Sequence, residues 1–162
     1  MLLVVGPPEV TIAQSVLPDG APVSHTKLIW RDAVPQTEPA QTRGNRSPYR
    51  VKGQTYTVLP IADDYVEEGI ASWYGMKFHG RQTANGDIYD VFAATAAHRS
   101  LPIPSYVRVT NLRNQRTVVL RINDRGPFHD SRLIDLSYGA AIALGFAESG
   151  TAPVRVEAVA PP

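Results

Sequence analysis

What most constrains this chain is a run of short, strand-length segments from Pro48 onward, broken by a single helix signal. Tyr49-Arg50-Val51 and Gln54 to Val58 flank Lys52-Gly53, a two-residue hairpin signal. Glu67 to Tyr74 reads as a strand, and its neighbours Trp73 and Tyr74 point to opposite faces, which predicts one in the core and one on a groove. Tyr106 to Thr110 alternates, with Val107 and Val109 on one face. Thr117 to Asn123 alternates too, with Val118, Leu120 and Ile122 inward and Arg121 and Asn123 outward. Arg132 to Leu136 and Val154 to Val159 read as two further strands. Ser137 caps the one clear helix, Tyr138 to Leu144, and Gly145 stands where a left-handed residue ends it. Many short strands with one helix predict a small β-barrel rather than a parallel α/β sheet.

The first 48 of the 162 residues differ in kind. They hold 7 of the 14 prolines and one of the 13 aromatics, Trp30, with no sustained period. Residues 1–47 therefore read as an extended or disordered leader, or a strap along a domain at 48–162. Leu28-Ile29-Trp30 is its one segment suited to docking on a core. Lys plus Arg is 16 and Asp plus Glu 15, and a net charge of +1 gives no support to nucleic-acid binding. With no cysteine there is no disulfide, thiolate nucleophile or cysteine-bound metal. No apolar run approaches a membrane span. Met1 to Val5 is too short for the core of an export signal.

Ionisable and aromatic residues gather in three stretches: Gly69 to Arg81, Thr83 to Asp90 followed by Thr95 to His98, and Arg121 to Asp130. They mix Gly, aromatics, Arg, His and Asp, where plain connectors carry Ser, Lys and Glu. That mix suits a carbohydrate: flat rings stack on sugars, Arg and Asn bond hydroxyls, and a carboxyl group moves a proton at the glycosidic oxygen. Asp124, ending a strand before Gly126-Pro127, is the first candidate acid, against the plainer reading that it caps its own turn. Asp87 follows the Asn85-Gly86 turn signal, and a solvated turn carboxylate is the plainer reading there; Asp90 and Asp130 read the same way. Asp135, before the helix, reads as a capping or buried structural carboxylate. His98 sits in an apolar setting that favours a satisfied core histidine. His79, His98 and His129 lack the i, i+4 spacing of a helical metal pair, so neither a metal nor any other cofactor is predicted. No Gly-x-Ser-x-Gly elbow or phosphate loop is present.

Several segments together carry a resemblance. They are Gly69-Ile70-Ala71-Ser72-Trp73-Tyr74-Gly75 with Phe78-His79-Gly80-Arg81, Thr83-Ala84-Asn85-Gly86 with Tyr89-Asp90, and Thr95-Ala96-Ala97-His98. Asn123-Asp124-Arg125-Gly126-Pro127-Phe128 and Ile134-Asp135-Leu136-Ser137-Tyr138 complete the set. Over about residues 48–159 the chain resembles the rare lipoprotein A (RlpA) family of bacterial envelope proteins. The resemblance implies a six-stranded double-psi β-barrel, shared with expansins, and a septal lytic transglycosylase that favours glycan strands stripped of stem peptides. It carries the catalytic set to Asp87, His98 and Asp124. Trp73, Tyr74, Phe78, His79, Asn85, Arg125 and Phe128 are the expected substrate-binding residues, with Arg125 turned away from Asp124 or onto substrate.

The expected acid is Asp124, with its proton held by desolvation and by the negative field of Asp87, while His98 bonds a carboxylate or a sugar. The family usually has Glu where this chain has Asp87. One methylene less retracts the carboxylate by about 1.5 Å, a displacement able to cost about 10²-fold in rate. That change gives weight to an alternative, a non-catalytic expansin-like glycan-binding module. A third reading is a septal scaffold for division-site proteins. The expected setting is the periplasmic side of the cell envelope, with peptidoglycan strands as partner and the chain a monomer. The lack of a lipidation cysteine and of a C-terminal peptidoglycan-binding repeat predicts a truncated chain or a short, secreted relative.

Overall fold

The computed structural model describes residues 9–10, 20 and 28–162. Six strands close a barrel: β5 (Val66–Tyr74), β6 (Thr95–His98), β7 (Ser105–Asn111), β8 (Thr117–Asp124), β9 (Ile134–Ser137) and β10 (Thr151–Ala158). Their order around it is β10-β5-β9-β6-β8-β7. Two neighbouring pairs are parallel, β5 with β9 and β6 with β8, and the remaining contacts are antiparallel. Ahead of the barrel, β1 (Glu9–Val10) pairs with β2 (Leu28–Ile29), and β3 (Tyr49–Val51) with β4 (Gln54–Tyr56).

The period-2 alternation explains the inside. Val107 and Val109, Val118, Leu120 and Ile122, and Val154 and Val156 all fill one core. Each such side chain contributes about 1.5–3 kcal/mol by leaving water. Strand β6 is the element that alternation did not announce. Thr-Ala-Ala-His is short and poor in branched residues, so its conformation follows from pairing with β8 on one side and β9 on the other. Helix α1 (Tyr138–Ala143) begins at Ser137, whose Oγ accepts from the Ala140 amide at 3.2 Å and donates to the Ala93 carbonyl at 2.6 Å. Gly145, at φ +79°, turns the chain out of it. A 3-10 turn, Met76–Phe78, follows β5.

Most of residues 1–27 lie outside the described residues. From Leu28 to Ser47 the chain is laid against the barrel as a strap, through Trp30, Ala33, Glu38 and Asn45. Trp30 is buried in the core, and the Ala33 amide donates to the Val119 carbonyl at 2.9 Å. Asn45 clamps the far end, donating to the Ile103 carbonyl at 2.6 Å and accepting from the Ile103 amide at 2.8 Å.

Candidate active site

The barrel brings two aspartates onto one outward row. In register, Ser72 of β5 faces Asp135 of β9, Asp135 faces Ala97 of β6, and Ala97 faces Asp124 of β8. Ladder partners project on the same face, so only the methyl group of Ala97 stands between the two carboxylates along the row. Ala71, Ile134, Leu136 and Ala96, one step away, point into the core. A register shift between Ala96 and Ala97 sets Asp124, rather than Asn123, opposite Ala97. Such a bulge re-aims a side chain at the end of a strand.

Asp124 is half-buried. Its Oδ1 accepts from the amides of Ala84 and Arg125, both at 2.9 Å, and its other oxygen has no partner among the described residues. Burial pushes its carboxyl above the usual range; the two amides and the Arg125 charge oppose this, and Asp135 adds to it. The negative neighbour is therefore Asp135, where the sequence suggested Asp87. Asp135 is itself raised by burial, against a hydrogen bond from Ser72 and the charge of Arg132. Ser72 Oγ donates to Asp135 Oδ1 and accepts from Arg132 Nη1 at 2.8 Å.

Asp87 occupies a different environment. Arg121, outward on β8, donates through Nη1 to Asp87 Oδ2 at 2.6 Å, and Asn123 Nδ2 adds a contact at 3.3 Å. Burial raises this carboxyl, but the donors Arg121, Asn85 and Asn123 outweigh it, and the net shift is downward. Asp87 is held ionised. The other side of Arg121 grips Glu38 of the strap, Nε to Oε2 and Nη2 to Oε1, each at 3.0 Å. Tyr106 donates to Glu38 Oε2 at 2.6 Å.

Arg125 points away from Asp124. Its side chain donates to the carbonyls of Gly44, His98 and Leu101 and to Asn45 Oδ1. His98, 2% exposed, touches neither Asp87 nor Asp124 by hydrogen bond. Its Nδ1 accepts from the amides of Ser100 and Leu101, both at 3.1 Å, which leaves Nε2 as the protonated nitrogen facing the Tyr65 hydroxyl at 2.9 Å. Burial, then the charges of Arg125 and Arg99, lower its pKa to about 3, so the ring is neutral.

The aromatic residues divide. Trp73 is half-buried, its Nε1 donating to the Ala147 carbonyl at 3.0 Å and its ring meeting Tyr138 edge-on at 4.9 Å. Tyr74 stacks on Tyr89 at 4.2 Å, with Phe78 on its edge. Burial raises the Tyr74 hydroxyl well above its usual pKa, with Tyr89 and Asp124 adding to it. The Thr95 hydroxyl is close enough to pull the other way, yet neither group closes a hydrogen bond. Phe78 and His79 are exposed, and His79 Nδ1 accepts from the Val91 amide at 3.2 Å. Asn85 shapes its own turn, accepting from Thr83 Oγ1 and the Asp87 amide and donating to Gln41. Phe128 lies against Tyr49 and Tyr56 of the hairpin.

Sequence reasoning left four participants out: Ser72, Asp135 in its place beside Asp124, Arg121 as the partner of Asp87, and Glu38. Period-2 counting does put Ser72 and Asp135 on the outward faces of their strands. Only the parallel β5–β9 pairing, which no local pattern encodes, puts them side by side. Among the described residues no group of three His, Asp or Glu side chains is arranged to hold a metal ion.

A family model described as lytic transglycolase matches residues 66–156. The chain is 53% identical over 128 residues to the endolytic peptidoglycan transglycosylase RlpA of Vibrio cholerae, covering 79% of this chain and 48% of that protein. It is 55% identical over 130 residues to the protein of the same name from Pseudomonas aeruginosa, covering 80% and 38%. The Neisseria meningitidis protein of that name is 52% identical over 130 residues, covering 80% and 54%. The chain thus spans about half, or less, of the length of these relatives. Among solved structures, Streptomyces papain inhibitor superposes with a TM-score of 0.49 at 23% identity, covering 62% of this chain and 98% of that one.

Proposed function

Because this chain belongs to the RlpA family, with its double-psi β-barrel, we propose that it is an endolytic lytic transglycosylase acting on peptidoglycan strands stripped of their stem peptides. The reading places it on the periplasmic side of the cell envelope, with Asp124 as the group that moves the proton. The observation that carries it is the state of Asp124: desolvated, fixed by two amides through one oxygen, with the other oxygen unpartnered among the described residues and a second carboxyl across the single intervening strand β6. Such a carboxyl holds a proton for longer than an exposed one, as a general acid must.

In this reaction Asp124 protonates the glycosidic oxygen between N-acetylmuramic acid and N-acetylglucosamine, and the bond from that oxygen to the muramyl anomeric carbon breaks. The muramyl C6 hydroxyl oxygen bonds to the same carbon, closing a 1,6-anhydro ring, and its proton returns to Asp124. Atoms balance without water. Ionised Asp87 faces the positive charge that develops on the sugar ring, and Asp135 keeps the field around Asp124 negative between the two proton transfers. His98, neutral and buried, acts at one remove: its ring organises the turn whose carbonyls hold Arg125 off Asp124.

Incubation with peptide-stripped strands, read by mass spectrometry, tests the proposal. Products lighter by one water than hydrolysed fragments, absent with Asp124→Asn, are expected. Hydrolysed fragments, or anhydro products that persist in Asp124→Asn, would overturn it.

A further inference from the structure

Hairpin β3–β4 belongs to no barrel strand order, yet it is fastened beside the loop that follows Asp124. Lys52 and Gly53, at φ +50° and +78°, form its tight turn. Tyr49 and Tyr56 face each other across the ladder and stack at 5.4 Å and 27°. Phe128 meets both rings, at 6.2 and 5.3 Å. The Tyr49 hydroxyl donates to the Arg99 carbonyl at 2.7 Å, which locks the hairpin to the barrel. All three rings are half-buried, so each keeps part of its surface in solvent.

The charge here is one-sided. Residues 41–62 contain Arg43, Arg46, Arg50 and Lys52 and no acid, in a chain whose net charge is only +1. Among the described residues the ion pairs are made by Arg121, Arg132 and Arg155, so none involves Arg46, Arg50 or Lys52, all of them exposed. Arg50 donates only to the Gly53 carbonyl of its own turn. An open hollow of about 530 Å³ lies between Arg46, Pro48, Tyr49, Arg50 and Thr55.

We infer that hairpin β3–β4 is a second glycan subsite, which binds a muramyl-type sugar through its free lactyl carboxylate. The inference rests on the glycan-strand reading above and extends it. Aromatic faces beside unpaired arginines match a ligand with a pyranose face and a carboxylate on the same residue. A neutral sugar would leave the arginines idle, and a plain anion would leave the rings idle. A muramyl residue exposes that carboxylate only where no peptide is amide-linked to it. Phe128, four residues after Asp124, touches both hairpin rings, so the proposed subsite lies beside the segment that follows Asp124.

Affinity for soluble peptide-stripped strands tests this, measured by calorimetry on the full chain carrying Asp124→Asn. Arg46→Gln with Arg50→Gln is expected to weaken binding roughly tenfold, the sum of two exposed charge contacts. Arg113→Gln with Arg116→Gln removes the same charge from the β7–β8 turn, at the other end of β8, and is expected to change affinity less than about twofold. Strands whose carboxylates are amidated with methylamine should bind native and hairpin-variant chains equally. Equal losses in the two arginine pairs, no loss in the hairpin pair, or an undiminished contrast on amidated strands would each overturn the inference. Peptide-bearing strands held as tightly as stripped ones would overturn the lactyl carboxylate as the group recognised. Absence of anhydro product from the native chain would refute the transglycosylase reading alone, since the binding contrast does not depend on cleavage.

Discussion

Asp87, in a turn, and Asp124, at the end of β8, carry the same side chain and end in opposite electrostatic states. Asp87 meets a guanidinium at 2.6 Å and is held ionised. Among the described residues Asp124 meets only backbone amides, loses its arginine to the carbonyls of His98 and Leu101, and has a second half-buried aspartate, Asp135, across strand β6. The contrast shows that role follows partners rather than residue type: one carboxylate suits charge stabilisation, the other proton transfer. The harshest test breaks the second half. Asp124→Asn should cost about 10³-fold in turnover, the usual worth of a general acid. It should not lower the melting temperature at neutral pH. A carboxyl raised in the folded state contributes its stability at low pH and loses it as pH rises through the folded pKa, so an amide removes a neutral-pH liability. A large fall in melting temperature would show that Asp124 serves the fold.

Breaking the first half should cost less. Asp87→Asn keeps the shape and removes the charge, and about 10²-fold is expected in kcat with KM little changed. An equal loss in KM would instead make Asp87 a ground-state binding residue. Restoring the longer side chain with Asp87→Glu sharpens the point. Arg121 already reaches Asp87, so the extra methylene must displace a guanidinium that Glu38 grips from its other side. Glu38→Gln, which weakens that grip while keeping the shape, is expected to lower kcat by no more than about tenfold at constant KM. The loss should vanish in an Asp87→Asn background. Additive losses would show that Glu38 acts through the strap and not through Asp87.

These partners also mark how far the sequence could be read. The barrel strands announced themselves wherever a branched residue recurred at every second position, as at Val118, Leu120 and Ile122, because that period is local chemistry. Ser137 and Gly145 announced the helix ends for the same reason. Strand β6 did not, since two alanines carry no β preference and barrel closure alone makes them a strand. The candidate carboxylates were legible as residues but not as a site. The Asp135–Ala97–Asp124 row depends on a parallel pairing and a bulge, and the Arg121–Glu38 grip joins residues 83 positions apart. No window of the chain contains either fact. The strap stayed open between two readings for a related reason: proline richness without a period looks the same whether a segment is loose or laid against a barrel.

His98 gives the mildest test at neutral pH, and it separates the two aspartates from the third titratable group the family resemblance joined to them. Its ring is neutral and buried, with a pKa near 3 in the folded state against about 6.5 unfolded. Between those values the unfolded chain binds the extra proton, so stability is complete above about pH 6.5 and falls as pH drops toward 3, by at most ~1.4 kcal/mol per unit. His98→Gln keeps one acceptor for the amides of Ser100 and Leu101 but lacks the proton-linked loss. At pH 7 the variant should be less stable by about 1 kcal/mol, the cost of an amide left short of a partner. As the pH falls the native and variant denaturation midpoints should converge, while the two aspartates affect both chains alike. Midpoints that stay parallel from pH 7 to pH 4 would mean that His98 titrates normally. The neutral ring that holds the 98–101 turn, and through it Arg125 away from Asp124, would then be wrong.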